Sequence, residues 1–291
     1  MAFAEDRSFY SYKLVRPAED GYEIADDGFD LVRTSHFIKE VLAVPPQAMS
    51  YSGFRIGMTG VYQALVEDPN SVLEADSAEA LEAALKERGV TPQTALRAAG
   101  ARGTAAHLVL ELLADGERQD AEVEYTREKM DWGTHYGEAV ITFWDECVQP
   151  YIDNGEIEEV LSEHRVTYLA QGRQMGWVGT FDLGLRWAQG YWPDGTMRPA
   201  GWEILDLKTH KPARGFTKEG QGAGYVSDAA QIRAYRMGFE DDGNPRPIGQ
   251  RTIVARENGK YLEDSREVSE EFVLRLRAAY NDRMQFEKGV A

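Results

Sequence analysis

The spacing of apolar residues along the chain changes once, near residue 156. From residue 77 to that point it has a period of about 3.6 and predicts helices. After it, apolar and polar residues alternate and predict strands. Residues 7–36 predict an irregular or β-hairpin start, with SFYSYKLVRP and GFDLVRTSHF flanking the turn-rich PAEDGYEIADDG. SHFIKEVLAV then predicts a short helix opened by Ser35 and ended by Pro45 and Pro46. Residues 50–66 are mixed, with helix-like spacing over 55–66. From residue 77 the pattern is firmer. Ser77 is placed to cap SAEALEAALKER, which Gly89 closes. Thr91 and Pro92 suit the opening of a helix over TPQTALRAAG. A further helix is expected over ARGTAAHLVLELLADG, with Ala105, Leu108 and Leu112 at helical spacing and Gly116 at its end. His107 and Glu111, four apart, share one face of it. Residues 119–149 predict a long helical stretch with Trp132, Val140, Phe143, Trp144 and Cys147 toward the core. Gly133 and Gly137 favour a break there.

The second half reads as strands separated by turns. IEEVLSEHRVTYLA is one strand and WVGTFDLGLRW the next. The turn WPDG at 192–195 connects onward to GWEILDLKT. Residues 210–225, rich in Gly and basic side chains, read as a loop. Ser227 is placed to cap a helix over SDAAQIRAYRMGFE, on which Arg233 reads as a surface residue. QRTIVARENGKYLE predicts a hairpin turning at Asn258–Gly259, and Ser269 caps a final helix. The order is helices, then strand–strand–strand–helix–strand–strand–helix. It predicts an α/β (or α+β) fold, in which a central mixed sheet is flanked by helices and follows a helical N-terminal half. A division is expected between a helical and β extension over 1–100, packed on the core, and the core itself over 101–291.

Composition narrows the reading. The chain of 291 residues is 43% hydrophobic and 28% charged, ordinary for a globular protein. No run of 18 apolar residues predicts a membrane span, and MAFAEDRSFYSYKLV lacks the pattern of a secretory signal. Cys147 is the one cysteine, which excludes an intramolecular disulfide, a Cys-ligated iron–sulfur cluster and a Cys-based zinc site. A cytoplasmic address is the expectation. The formal charge of −17 argues against broad, non-specific attachment to nucleic acid, which needs Lys and Arg against phosphates. It leaves room for a confined basic groove, or for carboxylates offset by bound metal.

The candidate chemistry lies in residues 176–208. Asp182 sits in one apolar strand, and Asp206 and Lys208 in the next. Strand alternation sends Asp206 and Lys208 to one side and Leu205 and Leu207 to the other. Buried carboxylates are costly unless paired or bound to metal. Two readings follow: a divalent-metal site suited to phosphodiester hydrolysis, or an Asp206–Lys208 ion pair at the sheet rim. Carboxylate oxygens are the ligands Mg²⁺ prefers.

GTFDLG, EILDLKT and the helix carrying QIRAY together resemble the PD-(D/E)XK nuclease superfamily, and are most similar to its RecB-type and phage-exonuclease branch. That branch includes exonucleases similar to those of CRISPR adaptation. GTAAH at 103–107 fits the G-T-x-x-H pattern of that branch, and Gln231 and Tyr235 fit its Q-x-x-x-Y. The likeness covers residues 100–240. It implies a restriction-endonuclease-like core, with His107, Asp182, Asp206 and the backbone carbonyl of Leu207 as metal ligands. It makes Lys208 the catalytic lysine, beside the catalytic carboxylates Asp182 and Asp206. Gln231 and Tyr235 would line the site and contact the nucleic acid; Lys211, in the basic loop, is a nucleic-acid candidate by its charge alone. The implied cofactor is Mg²⁺ or Mn²⁺ without an iron–sulfur cluster. The implied partners are DNA with free ends and a recombination or single-strand-binding protein; an oligomer is compatible with it, and no membrane is involved. The chain departs from the pattern in lacking cluster cysteines, in the long insert WAQGYWPDGTMRPAG between the two carboxylates, and in its acidity.

The resulting expectation is a Mg²⁺- or Mn²⁺-dependent deoxyribonuclease acting in recombination or repair. The alternatives are a non-catalytic DNA-binding or scaffold subunit of the same fold and a structure-specific endonuclease or nickase. Plainer readings stand beside individual residues. His135, in WGTHYGE, reads as a packing residue, and Glu163 as an edge-strand charge or else as a carboxylate approaching the metals. Glu111 reads as a solvated carboxylate, or else as a partner orienting His107. Lys211, Arg214 and Lys218 are either exposed charges or phosphate contacts.

Overall fold

The computed structural model describes residues 3–4, 11–18, 21–24, 31–42, 77–87, 92–209 and 225–287. Two compact units are present, one of residues 1–42 with 105–291 and one of residues 43–104.

The larger unit is built on a mixed nine-stranded sheet. Its strands are β1 (Phe3–Ala4), β2 (Ser11–Ala18), β3 (Gly21–Ile24), β4 (Leu31–Arg33), β5 (Ile157–Tyr168), β6 (Trp177–Trp187), β9 (Gly201–Lys208), β10 (Gly249–Ala255) and β11 (Tyr261–Asp264). The insert between β6 and β9 folds as a separate hairpin of β7 (Gly190–Tyr191) and β8 (Met197–Arg198), not merely a turn joining the two longer strands. Its Trp192 N–H donates to Thr196 O at 2.8 Å, and Gly195 supplies the left-handed φ of 83° that closes the turn.

The strand β6 organises the sheet. One of its edges pairs with β5 along nearly its whole length. The other edge is shared: β4 takes Trp177 and Val178 in parallel, and β9 takes Leu183 to Trp187 antiparallel. Residues 179–182 lie between these two partners, so β6 has a short unpaired stretch that ends at Asp182. The strand β9 continues the sheet through parallel pairing with β10, which closes on β11.

The described helices are α1 (Thr34–Val41), α2 (Ala78–Glu87), α3 (Pro92–Ala114), α4 (Arg118–Trp132), α5 (Tyr136–Cys147), α6 (Gln149–Asp153), α7 (Val226–Asp241) and α8 (Glu270–Glu287). Within the larger unit, helices cover both faces of the sheet. On one face Val109, Leu110 and Leu113 of α3 and Val140, Phe143 and Trp144 of α5 pack on Leu183, Leu185, Trp187, Leu205 and Leu207. On the other, Ile232, Tyr235 and Phe239 of α7 pack on Val166, Phe181, Trp202 and Ile204. Strand β9 obeys simple alternation, with 202 and 204 on one layer and 205 and 207 on the other. Strand β6 does not: Phe181 and Leu183 share parity but pack in opposite layers. The change of side falls at Asp182.

Several local expectations are corrected. Residues 92–114 form one helix rather than two, because Gly100 and Gly103 sit inside it and Thr104 Oγ1 donates to Gly100 O at 3.1 Å, a bond within a continuous helical turn. Ser35 does not open α1. The helix starts at Thr34, whose hydroxyl donates instead to Val178 O at 3.0 Å and ties α1 to β6. Ser227 does not cap α7; Asp228 Oδ2 accepts from Tyr225 N at 2.7 Å. Arg233 is buried and ion-paired with Glu270 rather than exposed. The caps at Ser77 and Ser269 are as expected, each accepting from a backbone N–H three residues on. The break between α4 and α5 is real: Gly133 takes φ 62°, and the buried Glu128 accepts from Thr134 Oγ1 at 2.7 Å, Tyr136 N at 2.8 Å and Gly137 N at 2.6 Å. A carboxylate thus caps the positive end of α5. Among the described residues no helix is long and apolar enough to cross a membrane.

Candidate metal centre

The unpaired stretch of β6 and the helix α3 bring the sequence-predicted residues together. Asp182 is the hub. Its Oδ1 lies 3.0 Å from His107 Nδ1, and its Oδ2 accepts the backbone N–H of Leu207. In a regular ladder that N–H would meet a β6 carbonyl. Here β9 has lost its β6 partner beyond Leu205, and a side chain takes over. In a strand the N–H and C=O of one residue point the same way, so the Leu207 carbonyl also faces β6.

Lys208 Nζ is in ion-pair contact with Asp206 Oδ2. The ammonium is the partner of this buried carboxylate oxygen. Asp206 is 2% exposed and Asp182 8%. Burial of this depth would normally neutralise carboxylates. Asp206 follows that rule: burial, opposed by Lys208 and helped by Asp182, pushes it up to about 6. Asp182 does not. Burial pushes it up, but the charge and hydrogen bond of His107, with Lys208 and the Leu207 N–H, outweigh burial and hold it below the ordinary value. The cations respond in kind. Burial works against charge on His107 and Lys208, and the neighbouring carboxylates override it, raising both.

Gln231 and Tyr235 lie one turn apart on α7, with Gln231 Nε2 donating to Tyr235 Oη at 2.5 Å. Both are buried. Burial and the charges of Asp206 and Asp182 raise the Tyr235 phenol well above its ordinary range, so it stays a neutral hydroxyl beside the carboxylates. The ring presses on β6 at Gly179, where an added Cβ would stand 2.3 Å from Tyr235 Cε1. A glycine is needed there to let the ring in.

Glu163, read from the sequence as an edge charge, is part of the cluster. The pairs Ser162↔Leu183 and His164↔Phe181 set it opposite Asp182. Its carboxylate, His107 and Asp182 each offer a ligand atom, all within 4.8 Å of one another. The sequence left this open, because Glu163 and Asp182 meet only through strand register. Burial, then Asp182, push the Glu163 carboxyl up to about 7. His107 pairs with Asp182 and not with Glu111, whose charge instead acts on Glu163. His135 is held by Glu138 at 2.8 Å and is not among these residues. Lys211, Arg214 and Lys218 lie outside the described residues.

The donor set fits a hard divalent cation. It offers carboxylate oxygens, an imidazole and a backbone carbonyl, and His107, Glu163 and Asp182 each offer an atom within 4.8 Å of one another. Three acidic groups, Glu163, Asp182 and Asp206, meet Lys208 and His107 here; burial and mutual repulsion raise Glu163 and Asp206, a strain that a bound cation would relieve.

No family model and no curated protein matches the chain. Among solved structures it is similar to the crystal structure of SSO0001, at 11% identity and a TM-score of 0.27 over 55% of this chain and 70% of that one. A likeness that low carries no argument.

Proposed function

We propose that the chain is a Mg²⁺- or Mn²⁺-dependent phosphodiester hydrolase acting on DNA, an exonuclease of the PD-(D/E)XK kind. The observation that carries this reading is the convergence of His107, Asp182, Asp206, the Leu207 backbone and Lys208. They come from one helix and two diverging strands and form one contiguous, mostly buried group. Asp182, Asp206, His107 and the Leu207 carbonyl would hold the cation. When bound, it would polarise a phosphoryl oxygen and lower the pKa of a coordinated water.

The chain's own residues supply the rest. Lys208 keeps its proton in this field, so it acts as a fixed positive charge for a phosphorane-like transition state. His107 and the Leu207 N–H fix both oxygens of Asp182, which sets the orientation of that carboxylate before any ligand arrives. Tyr235 and Gln231 form a neutral hydrogen-bonded wall on the α7 side, able to meet a strand without adding charge. The acidity of the whole chain favours a narrow footprint on DNA over a long electrostatic grip.

Purified protein with Mg²⁺ or Mn²⁺ should degrade linear DNA and spare closed circles. Asp206→Ala and Lys208→Ala should each abolish this. Degradation that survives both substitutions refutes the proposal. Saturable DNA binding with no hydrolysis in either metal would favour a scaffold subunit, and nicking of circular DNA an endonuclease.

A further inference from the structure

We propose that the outer face of α4 docks a second copy of this chain, with the two α4 helices antiparallel. The inner face of α4 is spent on α5: Ala121, Glu124 and Glu128 are buried there, and Glu128 accepts from the first amides of α5. The opposite face carries Gln119, Val123, Thr126 and Met130, all exposed. Met130 is 81% exposed and Val123 66%. These four residues follow one another at intervals of 4, 3 and 4. At 3.6 residues per turn they fall within about 60° of arc, the spacing of a two-helix seam. Apolar residues scattered singly on a surface mean little, but two in register on one seam make a contact strip.

Charge identifies the occupant. The seam is flanked by Asp120 and Arg127 on one side and by Glu122 and Lys129 on the other, all four exposed. On each flank the acid lies toward the start of the helix and the base toward its end. A two-fold axis through the middle of the seam, between residues 124 and 125, reverses the second helix and sets like flank against like flank. Asp120 then meets Arg127 of the second copy, and Glu122 meets its Lys129, each about 3 Å from level along the axis. Symmetry doubles these into four acid–base contacts, with no like charges opposed on either flank. Asp120 and Lys129 have no ion pair of their own among the described residues, so both are available. Glu122 is held by Arg118 at 2.8 Å, and Arg127 by Glu124, on the helix surface beside the seam. In the seam Val123 lies over Thr126 of the second copy, and Met130 over the methylene stem of its Gln119. The strip carries equal numbers of acids and bases, so two copies can meet there despite the net charge of −17 on each. Helix α4 has 15 residues and is about 22 Å long, so this seam alone buries less than the roughly 1,200 Å² of a standard interface. The dimer is therefore reversible and depends on concentration.

The test is sedimentation equilibrium of the full-length chain, without DNA or metal, from about 1 µM to 1 mM. Wild type should pass from monomer to dimer within that range. Lys129→Glu opposes two like charges at each Glu122–Lys129 contact and should weaken the dimer about 10-fold or more. Adding Glu122→Lys restores opposite charges with their signs exchanged and should recover most of that loss. Met130→Gln, which changes no charge, should weaken the dimer as well. A wild-type chain that stays monomeric throughout overturns the proposal and leaves this face to a different protein. A dimer unchanged by both Lys129→Glu and Met130→Gln also overturns it, because the contact then lies elsewhere. Weakening by Lys129→Glu with no recovery in the double variant overturns the antiparallel pairing.

Discussion

Gly179→Ala links the packing of the sheet to the candidate site. An added Cβ would stand 2.3 Å from Tyr235 Cε1, 2.9 Å from Cδ1 and 2.7 Å from Thr34 Oγ1. Carbon atoms at rest sit about 3.5–4.0 Å apart, so the ring would have to retreat by about 1 Å or more. It has little room to do so. Tyr235 is packed among Val166, Phe181, Ile232 and Phe239, and its hydroxyl is tethered by Gln231. Thr34 is fixed by its bond to Val178 O. Overpacking of a dense core costs about 1–3 kcal/mol, and contacts this short belong at the top of that range. The alanine returns about 0.4–1 kcal/mol through a less flexible unfolded chain, since Gly179 needs no positive φ. The net expectation is a loss of about 2 kcal/mol, or a melting point lower by about 4–8 °C. Denaturation of Gly179→Ala, Tyr235→Ala and the double variant checks the cause. The double variant should lose less than the two single losses combined, because the second change removes the obstacle created by the first. A stable Gly179→Ala protein, or strict additivity, would refute this account of why β6 needs glycine there.

Other outcomes follow from the same structure. Saturating Mn²⁺, at about 100 times its dissociation constant, should stabilise the wild type by about 2.7 kcal/mol and raise its melting point by about 5 °C or more. EDTA should reverse the gain, and Asp182→Asn should lack it. Glu128→Ala strips three donors at the start of α5 of their acceptor, and should cost about 1–3 kcal/mol in chemical denaturation. Arg198, with no exposed surface, lies 4.3 Å from the Trp187 ring and 5.3 Å from that of Trp192, and donates to Glu156 at 2.7 Å. Arg198→Lys should lose the planar stacking and loosen the β7–β8 hairpin, seen as faster amide exchange at Trp192 and Thr196 while β6 stays protected.

Much of the site was legible before any coordinates. D-x-K on a strand, after an aspartate on the strand before it, is a pattern of residue types that the sequence shows directly, whereas His107 entered only through the resemblance of GTAAH to a family pattern. Glu163 was not legible in this way. It reaches the site because β5 pairs with β6 at one register, and because the backbone turns left-handed at that residue. Arg233 was misread for a related reason: a charged residue on a helix looks solvent-facing until another helix, α8, packs over it and supplies Glu270.

By itself the sequence determined the kinds of most described elements and some of their ends, such as the caps at Ser77 and Ser269. Hydrophobic period, caps and turn glycines act within a few residues, where the chain's own stereochemistry decides. It also determined the α/β character and the residues able to carry chemistry. Only the tertiary structure decided that β6 is shared between β4 and β9, leaving an unpaired stretch that ends at Asp182. Through that gap a side chain takes the Leu207 amide, His107 meets Asp182, and Glu163 joins them. These contacts join residues dozens of positions apart, whose proximity depends on strand order and register, quantities no local pattern encodes.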